Sequence, residues 1–133
     1  MKGPEEWAVF LALWLWQLPQ NLLGLLLVAI LRPEDAYDYH GSKVYYSHRM
    51  RGGISLGRYI VIRSYQLNDG AKTERHELGH SMQSRMLGWL YLFVIGIPSI
   101  LWAAWWNEGQ NRSYYSFYTE RWADRLGGVE RDE

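Results

Sequence analysis

Two long apolar runs frame a polar centre in this chain. Residues 7–31 are apolar except around Gln17, Pro19, Gln20 and Asn21, and residues 87–106 are apolar with a break at Gly96-Ile97-Pro98-Ser99. Within the centre, Lys43–His48 and Ile54–Ile62 are rich in Val, Ile and Tyr and flank Arg51-Gly52-Gly53, the pattern of a β-hairpin over 43–62. Residues 32–42 read as a polar loop, and Asn68-Asp69-Gly70 as a turn. Thr73 can cap a helix over 73–85, and a second helix is predicted over 112–126, ended by Gly127-Gly128. The expected fold is α+β and mostly helical. It has membrane-embedded helical hairpins and a small β-hairpin packed on the two polar helices, all in one domain spanning 1–133.

The first polar helix carries His76-Glu77-Leu78-Gly79-His80. Helical positions i and i+4 differ by about 40° in direction, so both imidazoles share one face and can reach a single ion. Glu77 lies beside them, where its carboxylate can take a proton from a water on the open side of the metal. A catalytic zinc needs a third protein ligand and an open fourth position. Glu120-Arg121-Trp122-Ala123-Asp124 offers Glu120 as that ligand. Asp124, again i+4, can accept a hydrogen bond from a ligand histidine and fix its tautomer. The expected cofactor is one Zn²⁺ per chain.

HELGH at His76–His80 with the E-x-x-A-D-R segment Glu120–Arg125 resembles the gluzincin arrangement, and within it the HtpX proteases and type I CAAX prenyl proteases. The likeness covers the stretch from the Ile54 strand to Gly128. It implies zinc, peptide hydrolysis, and a substrate strand laid beside the edge strand that precedes the HExxH helix. Ile54, Ser55, Leu56 and Gly57 occupy that place. Those relatives are longer and carry more complete spans, whereas here His80 and Glu120 stand only 40 residues apart (120 − 80). The chain reads as a reduced branch whose substrate identity does not carry over.

One ion also constrains topology. Residues 87–106 are long enough to cross a bilayer as a straight helix, which would put Glu120 across the membrane from His76 and His80. The segment therefore either reverses, with Gly96 and Pro98 supplying the break, or does not enter deeply. The first run reads as a second re-entrant hairpin or as a kinked span. Arg32-Pro33-Glu34-Asp35 follows it in place of a small-residue cleavage pattern, so it is expected to be a retained anchor. Irregular backbone at membrane depth must be covered by protein, so the two runs pack together or the chain forms a homodimer.

Composition supports the bilayer as a partner. There are eight Trp, many of them beside the apolar runs, as interface belts require. Fourteen Lys+Arg balance fourteen Asp+Glu, which argues against a nucleic-acid partner, and without cysteine neither thiolate ligands nor a thiol nucleophile exist. Nine of the fourteen cations lie in 32–86, which places the zinc site on the cytoplasmic side by positive-inside reasoning.

Transition-state stabilisation has several candidates: Tyr118 and its neighbours Tyr114 and Tyr115, Arg121, Arg125, and the upstream His48 and His40. Each also has an ordinary surface or interface role. The leading expectation is a zinc endopeptidase for membrane-associated or membrane-proximal peptides. The rivals are a non-catalytic zinc-stabilised membrane scaffold and a soluble helical protein holding a lipid-like ligand.

Overall fold

A computed structural model describes residues 3–63, 72–107 and 112–131, and the Asn68-Asp69-Gly70 turn lies outside them. Four strands form one sheet: β1 (Asp35–Tyr39), β2 (Ser42–Ser47), β3 (Gly53–Leu56) and β4 (Tyr59–Arg63), in the order β1-β2-β4-β3. The single hairpin expected of 43–62 is replaced. A turn at Gly57-Arg58 splits its second strand, β3 pairs antiparallel with β4, and β4 runs parallel to β2. The reason is burial. Tyr59, Ile60, Val61 and Ile62 are all buried, and an apolar run covered on both faces belongs in the middle of a sheet. β3 is thereby left on the edge. The expected loop 32–42 also yields a strand, β1, whose Tyr37 and Tyr39 alternate onto the Val44–Ile60–Ile62 core.

Helix α3 (Lys72–Leu87), predicted as 73–85, packs across the sheet. Ser81 Oγ donates to the Gly57 carbonyl at 2.7 Å, and the Tyr46 hydroxyl donates to Glu74 Oε1 at 2.7 Å, with Tyr37 on the other Glu74 oxygen. These bonds hold the start of the helix to the sheet and its middle to the β3–β4 turn. The expected helix 112–126 starts later. A 3₁₀ turn at Tyr114–Ser116 and an extended Phe117 precede α5 (Tyr118–Gly127). Helices α3 and α5 touch at small residues. A Cβ on Gly79 would overlap the Ala123 carbonyl, so the two axes approach as closely as backbones permit.

The first apolar run forms α1 (Pro4–Trp16) and α2 (Leu18–Leu31), bent by 89° at Gln17. The bend is a right angle, and its polar residues face protein. Gln20 Nε2 donates to Ser84 Oγ at 2.9 Å and to the Gly88 carbonyl at 2.8 Å, while Ser84 donates to Gln17 Oε1 at 2.6 Å. Asn21 Oδ1 accepts from the Arg58 amide at 2.8 Å. Outward, the pattern inverts. α1 buries none of its residues, α2 buries only Gln20, Asn21 and Gly24, and most of their leucines are exposed.

In the second run the predicted break at Gly96–Ser99 is absent. A π-helical turn (Leu92–Gly96) leads directly into α4 (Ile97–Trp105). The reversal occurs earlier, at Gly88, whose φ of 55° ends α3. Pro98 is accommodated because the Val94 carbonyl, deprived of its i+4 amide, accepts from the Tyr118 hydroxyl at 2.6 Å. Among the described residues no single helix is long and apolar enough to cross a membrane, although the bent α1–α2 pair passes that test jointly.

Candidate metal centre

The close crossing at Gly79 and Ala123 brings the predicted ligands together. His76 and His80 stand one turn apart on α3, and Glu120 lies in the first turn of α5. One ligand atom from each lies within 4.8 Å of the others, and all three residues are buried. Glu120 Oε1 is 3.1 Å from His76 Nε2 and 3.0 Å from His80 Nε2. Donors bound tetrahedrally at about 2.0–2.2 Å would stand roughly 3.3–3.5 Å apart, so the two Glu120–histidine separations need only a small expansion to hold an ion.

The second layer fixes the aim of each donor. His76 Nδ1 donates to Asp124 Oδ1 at 2.7 Å, as predicted. His80 Nδ1 donates to Gln83 Oε1 at 2.7 Å, and Gln83 Nε2 donates to the Thr119 carbonyl at 3.0 Å. With both Nδ1 atoms occupied, both Nε2 atoms are turned to the shared point. The far oxygen of Glu120 accepts from Ser99 Oγ at 2.7 Å and Thr119 Oγ1 at 2.6 Å, which leaves Oε1 alone to face the histidines. Arg131 closes the outer side. It donates to both Asp124 oxygens at 2.7 and 3.0 Å and lies over the Tyr115 ring.

The electrostatics follow from this packing. Burial acts to lower the His76 pKa, but hydrogen bonds to the Asp124 and Glu120 carboxylates override it and raise the group to about 9. Burial likewise pushes Glu120 and Asp124 upward, yet Glu120 ends well below the ordinary carboxylate range and Asp124 is also lowered. The His76 and His80 bonds prevail for Glu120, and the His76 and Arg131 bonds for Asp124. Glu77 is different. Burial raises it, and among the described residues its carboxylate accepts no hydrogen bond. It projects against Gly53, where an added Cβ would lie 3.0 Å from Oε2.

A cleft of about 370 Å³ opens over these groups. Ile54, Ser55 and Leu56 of edge strand β3 form one wall. Gly96, Ser99, Ile100 and Ala103 form the other, and His76, Glu77, His80 and Glu120 line it between them. Gly57, the last of the four residues expected to lie beside a substrate strand, instead sits in the β3–β4 turn, its carbonyl accepting from Ser81. Tyr91, Ser99, Thr119 and Gln83 were not legible as site residues. Tyr91 and Ser99 sit in an apolar run that composition assigns wholly to lipid.

Several predicted stabilisers lie elsewhere. Tyr118 is spent on the Val94 carbonyl. Arg121 faces a larger hollow of about 590 Å³ on the other side of α5, which contains neither ligand histidine. Both misses follow from helix geometry: at about 100° per residue, neighbours one and two positions from Glu120 point away from it. His48 is exposed and pairs with Glu34 at 2.6 Å, and the carbonyl of His40 accepts from Arg85. Tyr114 and Tyr115, by contrast, line the cleft, with the Tyr115 ring 5.2 Å from that of His76. No family model matches the chain, and comparison with curated proteins and with solved structures finds nothing similar.

Proposed function

We infer that this chain is a zinc-dependent endopeptidase acting on polypeptides at a membrane surface. The observation that carries this reading is Glu77: a buried carboxylate that accepts no hydrogen bond among the described residues, beside a His-His-Glu donor set and lining a cleft with an edge strand. A zinc-stabilised scaffold would need the three donors but has no use for a fourth, non-ligating carboxylate in so costly a place.

When bound, zinc supplies an electrophile that acidifies water and polarises a peptide carbonyl. The chain's own groups supply the rest. β3 offers main-chain hydrogen bonds to an extended substrate. Glu77, with its raised pKa, accepts a proton from the attacking water and passes it to the departing nitrogen. Asp124 and Gln83 hold the imidazoles, while Ser99 and Thr119 hold Glu120. The outward apolar faces of α1, α2 and α4 support residence in a bilayer, and the cation-rich centre supports a cytoplasmic site.

The test pairs two variants. His80→Ala should lose most of one zinc per chain, measured by elemental analysis, because two remaining protein ligands hold zinc poorly. Glu77→Gln should fold and keep zinc while losing turnover by at least on the order of a hundredfold, read on partners trapped by that variant in membranes. Undiminished cleavage by Glu77→Gln would sink the mechanism even with zinc confirmed.

A further inference from the structure

The two ends of the cleft differ in chemistry. At one end Arg51 and Gly52 lead into β3, and Gly53 lies against Glu77 and Thr73 at the start of α3. Arg51 is exposed and makes no ion pair among the described residues. Leu56, at the other end of β3, lines the cleft together with Tyr91, Gly96 and Ile100. The Tyr91 hydroxyl lies 3.5 Å from the Ser55 carbonyl, which ties this end of β3 to the apolar helical layer. Ile100 is 62% exposed and shares the surface of that layer with Phe93, Ile97 and Leu101, so the apolar end of the cleft continues into the apolar exterior. Gly53–Leu56 is extended and a bend at Arg51-Gly52 precedes it, so Arg51 and Leu56 stand at most about 17 Å apart.

A polypeptide lying along β3 must therefore present two different chemistries on either side of Glu77. We propose that the substrate is a segment at the border of an apolar stretch. An apolar side chain enters the end formed by Leu56, Tyr91, Gly96 and Ile100, and an Asp or Glu about five residues away meets Arg51. The proposal rests on the peptidase reading for the cut, but the preference is a property of binding and is measured without one.

The experiment uses full-length Glu77→Gln protein, zinc-loaded in detergent micelles, titrated with fluorescent peptides in both sequence orders. One peptide joins a leucine-rich half to a glutamate-bearing half. A second carries Lys for Glu, and a third carries Ser for Leu. The glutamate peptide should bind about fivefold tighter than its lysine counterpart, a modest factor because the pair is exposed. Arg51→Glu should invert that order. Ile100→Glu should weaken the leucine peptides roughly tenfold while leaving the charge preference in place. Equal binding of the Glu and Lys peptides, an unchanged order in Arg51→Glu, or no binding of any peptide overturns the proposal. The native protein separates the two readings. Cleavage indifferent to both features overturns the substrate class and leaves the peptidase standing. Binding in the expected order without any cleavage removes the peptidase and leaves the recognition.

Discussion

Helices α1 and α2 turn leucines outward and amides inward, whereas the sheet packs Val44, Ile60 and Ile62 inward in the usual way. Both regions are held by their contacts, but the contacts differ in kind. The sheet's core is held by apolar burial, worth roughly 25 cal/mol per Å² removed from water. The α1–α2 bend is held by a small set of directional bonds from Gln17, Gln20 and Asn21 to Ser84, Gly88 and Arg58. The comparison teaches that polarity within an apolar run is not always a membrane turn. Here it is the docking surface by which an inside-out layer attaches to the half that carries the His76–His80–Glu120 donor set.

The comparison breaks most completely where the metal half depends on a missing side chain. Gly79→Val would drive a branched side chain into the Ala123 carbonyl. Overpacking costs about 1–3 kcal/mol and occasionally more, and rigid backbone on the far side puts this site at the upper end. The variant should melt several degrees lower and lose its metal, seen together by thermal unfolding and metal analysis. A variant that retains both would mean α3 and α5 can separate without harm.

The next effect concerns the apolar half alone. With α1 burying nothing and α4 largely exposed, the protein should remain in membranes through alkaline carbonate washing. Recovery as a folded monomer in the supernatant would mean the outward leucines tolerate water. A smaller contrast follows inside that half. Gln20→Leu makes the run more apolar yet should destabilise by about 1–3 kcal/mol, because Ser84 and the Gly88 carbonyl lose their donor. Leu22→Ala, at an exposed apolar position, should stay within about 0.5 kcal/mol in detergent. Equal costs in chemical denaturation would erase the distinction drawn here.

The smallest effect is a proton. In the metal-free protein His76 titrates near 9, above its unfolded value of 6.5. Its contribution to metal-free stability is therefore complete below about pH 6.5 and lost as pH rises through about 9. Metal binding at pH 7 must expel this proton, so affinity should fall about tenfold per unit of acidification from this group. Calorimetry in two buffers of different ionisation enthalpy should show close to one proton released. No buffer dependence would contradict the assigned charge.

The ligands were readable from the chain because i,i+4 spacing is a local rule that survives into any helix. It placed His76, His80, Glu120 and Asp124 without knowledge of the rest. The sheet order was not readable, since alternation identifies strands but says nothing of partners. Gly57-Arg58 gave too weak a turn signal to divide Ile54–Ile62. Tyr118 and Arg121 were misassigned by proximity in sequence, where helical angle was the better guide. Ser99 was hidden by its setting: one hydroxyl in an apolar segment looks incidental until Glu120 is seen to accept from it.

The reversal at Gly88 has a consequence for how the protein is made. Two of the three donors emerge early in synthesis, and the third follows only after the apolar stretch 92–105 has been produced and folded back. Joining the ends of that 40-residue interval (120 − 80) costs about 3 kcal/mol of chain entropy before any contact forms. The nascent chain thus carries Glu77 and two histidines without a complete ion site. The three-donor set is complete only once the segment between His80 and Glu120 has found its place, so any chemistry the proposed ion supports must wait for that step.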